Sequence, residues 1–258
     1  MAKMPRPPRI ADMLMPFLVV FVFALMQTLC YWVTRNVILS SLLSGITSAV
    51  LLARPVGPIR LKDAFLPTCM PIRSVLSGIT AGMISIVATA LLSELVQLSD
   101  PTAQGLAGQL DLPVTWVTIG LTGPICEELL FREGIQGGLT RKGMQPVWAI
   151  AVSCLLFSLA HAGSAQRLAA ISSGIVLGSL YHRSQNILLC SLVHITNNLL
   201  GLIQLRLLQG GATTTPLLDI LGSRLLAWAL FAALVICIGV LLWQLFTCKK
   251  KEIVPPSN

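Results

Sequence analysis

Long apolar runs constrain this chain more than any other feature. A helix that crosses a bilayer needs about 20 predominantly apolar residues, within a range of about 17–25. Stretches near that length recur along the sequence: Met13–Val33, Val37–Ala53, Ser74–Val96, Val114–Leu139, Val147–Ala162, Leu168–Tyr181, Ile187–Leu208 and Leu225–Phe246. The fifth and sixth are short, and the sixth is the weakest. Backbone groups in hydrocarbon must be paired within the protein, which leaves only helices and closed barrels. The expected fold class is all-α, a polytopic transmembrane helix bundle of about eight spans.

Composition supports this. Only 11% of the 258 residues are charged and 55% are hydrophobic, with a mean hydropathy of +0.81. An ordinary soluble domain carries roughly 25% charged residues, so a water-soluble fold of this size could not cover its surface. One hydrophobic assembly is expected, in three stretches: N-terminal helices and loops (residues 1–112), a core (113–208), and a last helix with a basic tail (209–258). The start, Met1–Arg9 and then an apolar run, superficially resembles a signal peptide. Met13–Val33 is too long for a signal core and reads as a retained first span. Arg54–Arg73 could lie flat in the interface through Ile59, Leu61, Phe65 and Leu66. Ser99–Pro113 reads as an exposed loop, and Lys249–Asn258 as a basic stop with a disordered end.

The net charge of +8 raises the question of nucleic acid, but the basic residues sit at the ends of apolar stretches. No basic stripe interleaved with aromatics occurs, so nucleic acid is not an expected partner. With the N-terminus inside and eight spans, thirteen of the eighteen Lys and Arg fall on the inner side and four outside, with Arg132 inside a span. That split follows the positive-inside rule and puts both termini in the cytoplasm. The seven cysteines form no Cys-x-x-Cys pair and lie mostly in apolar runs, as small packing residues do. Neither a disulfide framework nor a structural zinc site is implied. No pair of corresponding broken helices marks an inverted-repeat transporter.

An ionisable group in the hydrocarbon core costs at least about 2.5–3.5 kcal/mol on insertion scales, which makes it a functional candidate. Glu127-Glu128-Leu129-Leu130-Phe131-Arg132 lies in the fourth span. Glu128 and Arg132 are four apart, on one face and in the favourable order. Glu127 points about 100° away, without a cationic partner in its own helix. One acid is thus a paired charge and the other is free to act on a proton; alternatively, the whole cluster snorkels at the interface. His161 ends the fifth span, where a lone histidine is more often a packed or interfacial residue than a catalytic one. His194 and Asn198 share a face of the seventh span, and such residues also serve simply to join helices. Tyr181-His182-Arg183 reads as an interfacial anchor without chemistry. Together, a carboxylate, two histidines and an asparagine on three helices supply a general base, polarising donors and an oxyanion clamp.

In sequence order, Glu-Glu-x-x-x-Arg, Phe-x-x-x-His and His-x-x-x-Asn resemble the CAAX protease and bacteriocin-processing (Abi) family, which includes the type II CAAX prenyl endopeptidase. The likeness covers roughly Pro113–Leu208. It implies an intramembrane endopeptidase in which Glu127 activates water with His161 assisting, and His194 with Asn198 holds the oxyanion. Glu128 and Arg132 would brace the site. The family usually has Gly directly after the Arg; here Glu133 intervenes before Gly134. No His-Glu-x-x-His zinc motif occurs, and the resemblance favours a metal-free mechanism, so no cofactor is expected. Zinc stays open as the alternative, with Glu127, His161 and His194 as its ligands. Cys126 has no thiolate-stabilising cation of its own. The expected partners are the lipid bilayer and a peptide or protein substrate, prenylated or leader-bearing, and the expected location is a bacterial plasma membrane. The rival reading is a non-catalytic membrane adaptor or immunity protein with the same fold.

Overall fold

The computed structural model describes residues 72–98, 105–209 and 216–247, together with scattered helical positions between residues 18 and 46. Among the described residues there are helices and turns and no strand. The principal helices are α1 (Ile72–Leu95), α2 (Pro113–Arg141), α3 (Pro146–Leu159), α4 (Ser164–Ser184), α5 (Ile187–Gln209), α6 (Leu217–Leu221) and α7 (Arg224–Thr247).

Local chemistry sets several of these boundaries. Proline stands at the first position of α2 and α3, where its missing N–H costs no hydrogen bond. Helix α4 stops at Gln185, which turns left-handed (φ 54°). Asn186 then caps α5: its Oδ1 accepts the Leu189 N–H at 3.0 Å, satisfying a donor with no intrahelical acceptor.

Helices α1, α2, α5 and α7 are long and apolar enough to cross a membrane, matching the third, fourth, seventh and eighth expected spans. Helix α3 is apolar but has 14 residues, about 21 Å of rise. Helix α4 has 21 residues, longer than the sequence pattern implied. Polar residues such as Ser164, Gln166 and Arg167 at its start had masked its length. Of the first two expected spans only scattered helical positions are described; most of the interfacial segment, the basic tail and the sidedness of the termini lie outside the described residues. The described part of the expected loop Ser99–Pro113 is largely exposed, with a packed point at Leu110. Leu110 is buried there, and its carbonyl accepts the Trp116 indole N–H at 2.9 Å.

The inner half of α2 is the axis of the bundle, buried on every side from Leu130 to Leu139. Its Leu130, Phe131, Ile135 and Leu139 pack on Ala149, Leu156 and Phe157 of α3. A second cluster joins Leu177, Leu180 and Tyr181 of α4 to Ile187, Cys190 and Val193 of α5. Helix α7 covers α1 through Ala227 and leaves Leu225, Trp228, Ile236 and Trp243 exposed, as suits a lipid-facing surface.

Small residues bring α1 against α4 and α5, the usual way helices approach when lipid gives no hydrophobic drive. A Cβ at Gly82 would fall 2.6 Å from Val193 Cγ1, and one at Gly78 equally close to Leu180 Cδ1. Gly82→Leu is therefore expected to cost about 1–3 kcal/mol by overpacking. Thermal melting in mild detergent would show it as a lowered midpoint. An unchanged midpoint would mean that α1 parts from α5 freely.

Candidate active site

The charges on α2 are enclosed together with their partners. Arg132 Nε donates to Glu128 Oε2 at 3.0 Å, and both side chains are 0% exposed. Arg132 Nη1 donates to Ser153 Oγ at 3.0 Å, and that hydroxyl donates to the Phe131 carbonyl at 2.7 Å. The guanidinium carbon lies 5.1 Å from the centroid of the Phe157 ring, a cation–π distance. The pair expected from i,i+4 spacing is thus formed, but deep in the bundle rather than at an interface. A buried ion pair stabilises only when its remaining hydrogen-bonding groups are met. Ser153 and Phe157 of α3 do most of that work here, while Arg132 Nη2 has no partner.

His194 of α5 stands between the adjacent acids. Its Nδ1–H donates to Glu128 Oε1 at 2.9 Å, and its Nε2 lies 3.6 Å from Glu127 Oε2. A carboxylate can only accept, so Glu128 fixes the ring and turns Nε2 towards Glu127. The 3.6 Å separation is too long for a hydrogen bond but suits a shared water. Glu127 is 30% exposed at the side chain, whereas Glu128 is wholly enclosed. The helical-face distinction between the two acids is therefore realised as one buried, doubly engaged carboxylate and one accessible carboxylate.

Helix α2 departs from α geometry on both sides of this pair, with π-helical turns at Thr118–Thr122 and Leu129–Gly137. Such turns recur at functional sites. The first ends with Gly123 N–H bonded to the Thr118 carbonyl, so the next bond in that register would run from residue 124 to Ile119. Residue 124 is proline and has no N–H to give. Asn198 supplies the missing donor: its Nδ2 donates to the Ile119 carbonyl at 2.9 Å. Because the partner is a carbonyl, the orientation of this amide is settled, and one of its two N–H groups stays available.

His161 lies just beyond α3. Its Nδ1–H donates to the Phe157 carbonyl at 2.8 Å, leaving Nε2 as the free ring position. Its backbone is pinned by Arg167, whose Nε donates to the His161 carbonyl at 2.9 Å. The Phe157 ring meets both histidines edge to face, with centroid separations of 4.8 Å to His161 and 5.7 Å to His194. Glu127, Glu128, Arg132 and His194 are thus in direct contact or nearly so, His161 joins them through Phe157, and Asn198 holds the turn preceding Glu127. Glu127, His161 and His194 do not converge as a metal set. Among the described residues, no three His, Cys, Asp or Glu side chains are placed to hold an ion.

Sequence reasoning missed a second buried network. Glu133 accepts Arg141 Nη1 at 2.9 Å and the Tyr181 hydroxyl, and Arg141 Nη2 donates to the Glu133 carbonyl oxygen at 3.1 Å. Tyr181 is buried, so it is a structural donor and not the interfacial anchor expected. Gly137 makes room for this arrangement, since a Cβ there would fall 2.8 Å from the Tyr181 hydroxyl and 2.9 Å from Arg141 Nη1. The extra acid is thereby balanced by its own cation, separately from Glu128 and Arg132. The only hint in the sequence was Arg141 eight residues on, a spacing foreign to α-helical pairing but reached across the π-helical turns.

The comparisons with known proteins fall on this assembly. Residues 109–200 match the family described as type II CAAX prenyl endopeptidase Rce1-like. That core is similar to the CAAX protease family. The Rce1-like stretch contains all seven residues of the motifs and ends just beyond Asn198. A UPF0177 protein, YxdF, of Lactococcus lactis subsp. lactis (strain IL1403) is 31% identical over 112 residues, 43% of this chain and 61% of that protein. The chain thus spans about three fifths of the length of this curated relative. No solved structure matches the chain.

Two outcomes follow. Asn198→Ala orphans the Ile119 carbonyl and should cost about 1–3 kcal/mol of stability. In a Pro124→Ala background a backbone N–H can take the carbonyl, so the same substitution should cost at least about 1 kcal/mol less. Additive losses in that double-mutant cycle would refute the pairing. Separately, Tyr181→Phe should cost about 1.5–3 kcal/mol by removing a donor to a charged acceptor. In a Glu133→Gly background, where the acceptor is gone, that loss should shrink, as read by thermal melting.

Proposed function

We propose that the protein is an intramembrane endopeptidase that cleaves a peptide bond with a water activated by Glu127 and without a metal. The observation that carries this reading is His194 held between two adjacent carboxylates, of which only Glu128 is matched by a guanidinium. The uncommitted acid, Glu127, is also the accessible one. The family of the core supports a peptidase, and the arrangement of charges supports a glutamate as its base.

In the proposed reaction, water lies between Glu127 and His194, and its proton passes to the Glu127 carboxylate as the oxygen attacks the peptide carbonyl. His161, presenting Nε2, assists in aligning that water. Protonated His194 donates from Nδ1 to Glu128 and from Nε2 to the developing oxyanion. The second N–H of the Asn198 amide is the other donor to the oxyanion. Donors preset for a charge that develops only in the transition state supply the largest share of catalysis in such sites. Glu127 then returns the proton to the leaving amine as the tetrahedral intermediate collapses. Glu128 and Arg132 set the His194 ring and take no part in proton transfer. The substrate class in this proposal is a membrane-associated peptide bearing a prenyl group or a leader. The location proposed is a bacterial plasma membrane, in keeping with the bacterial relative.

Purified full-length protein in detergent should cleave one member of a panel of prenylated and leader peptides. Glu127→Gln should lower the rate by at least about 10²-fold, the lower end of what general acid–base catalysis contributes. Chelator should leave the wild-type rate unchanged. Loss with chelator would refute the metal-free mechanism. Full activity in Glu127→Gln would remove Glu127 as the base, and a cellular phenotype that survives this substitution without any cleavage would favour the adaptor reading.

A further inference from the structure

Arg167 is a cation beside the proposed site whose charge the fold leaves unmatched. It lies in the opening turn of α4, close after His161 in the chain, and it is exposed. Among the described residues, Arg132, Arg141 and Arg206 form ion pairs, and no acid engages Arg167. The opening turn of α4 itself holds no acid. A helix carries partial positive charge at its start, so a cation there stands at the unfavourable end. The position is a local cost without local compensation.

The residue is nevertheless held firmly. Ser158 Oγ of α3 donates to the Arg167 carbonyl at 3.1 Å, and the Arg167 backbone N–H donates to the Gly163 carbonyl at 2.8 Å. At the other end, Arg167 Nε donates to the His161 carbonyl at 2.9 Å. Backbone and side chain are thus both tied to the turn that carries His161. Satisfying that carbonyl takes one N–H, which a lysine supplies as well. A guanidinium has five in a planar fork. Among the described residues, neither Nη1 nor Nη2 of Arg167 meets an acceptor. A fixed pair of N–H groups on a planar cation is the geometry that grips a carboxylate.

We propose that Arg167 binds the C-terminal carboxylate of the bound peptide and so sets how far from the chain end the scissile bond falls. The inference rests on the peptidase reading for where the peptide lies, with its reacting bond at Glu127 and the free Nε2 of His161. The guanidinium is hydrogen-bonded to the carbonyl of that same histidine. The two points are therefore a few residues of extended chain apart, at about 3.3–3.6 Å each. Every chain end carries a terminal carboxylate, so this ruler needs no particular side chain. In or beside a bilayer such a charge is costly until a cation meets it, and the same contact relieves Arg167.

The test reads binding to the full chain in mild detergent, carrying Glu127→Gln so that the probe stays intact. The probe is S-farnesyl-Cys-Val-Val-Ala, with either a free carboxylate or a C-terminal amide. The acid should bind about five-fold more tightly or better, the upper end of an exposed ion pair. Adding Arg167→Gln should cut that preference below about two-fold by weakening the acid alone. Arg167→Lys in its place should keep the melting midpoint, since one N–H still serves the His161 carbonyl, while the preference falls as a point charge replaces the fork. Equal binding of acid and amide would overturn the proposal, as would binding of neither. Equal weakening of both probes by Arg167→Gln would also overturn it and leave Arg167 as a brace of the turn. An amide probe ending in Asp that binds as well as the acid would give the guanidinium to an acidic side chain. A preference abolished by phosphatidylglycerol in the micelles would give it to lipid phosphate, reached by snorkelling. If the chain binds acid over amide and yet, with Glu127 restored, cleaves neither, the peptidase reading fails alone.

Discussion

Charges inside a bilayer protein have no water to fall back on, so whatever balances them must come from the fold. Glu128 and Arg132 are wholly enclosed, and every element around them is arranged about that fact. Helix α3 brings Ser153 to one guanidinium nitrogen and the Phe157 ring to its face, while α5 brings His194 to the remaining carboxylate oxygen. Removing either charge would leave the other unpaired in a medium where this costs several kcal/mol. The pair therefore fixes the positions of three helices, and Glu127 inherits its place because it is the next residue along. A structural demand thus also sets where the accessible carboxylate stands.

The bend of α2 away from regular geometry has a similarly local origin. Pro124 cannot complete the π-helical register begun at Thr118, and the carbonyl it leaves open is closed from α5 by Asn198. A proline one turn before the acids thus creates a demand that only a neighbouring helix can meet. Meeting it locks α5 to α2 at the level of the site. Further along, the π-helical stretch Leu129–Gly137 lets Glu133 and Arg141 pair beneath Tyr181. Two separate ion pairs, each with a hydroxyl of its own, Ser153 accepting from Arg132 and Tyr181 donating to Glu133, then share one helix without competing.

Much of this was legible from residue spacing. The i,i+4 relation announced the Glu128–Arg132 pair, and the 100° offset marked Glu127 as the freer acid, because both statements need only regular helix geometry. Apolar length located α1, α2, α5 and α7 for the same reason. What spacing could not show was anything that depends on irregular backbone or on another helix. The Glu133–Arg141 pair crosses π-helical turns, the partner of His194 sits 66 residues away, and the Asn198 acceptor is a backbone carbonyl that any residue could have offered. Helix α4 was underestimated because Ser164, Gln166 and Arg167 at its start and His182, Arg183 and Ser184 at its end broke the apolar run without breaking the helix. The buried Tyr181 looked interfacial because its neighbours, His182 and Arg183, are.

The shortness of α3 has a consequence for how water and a peptide could meet the histidine at its end. At about 21 Å of rise, it falls well short of a hydrocarbon layer about 30 Å thick. Set along the bilayer normal, it cannot reach both boundaries of that layer. Lipid must dip to meet it, or neighbouring helices must shield it from lipid. Under either arrangement the loop carrying His161 would lie at a depression open to the aqueous side. The length of one helix would then shape the membrane as much as the protein.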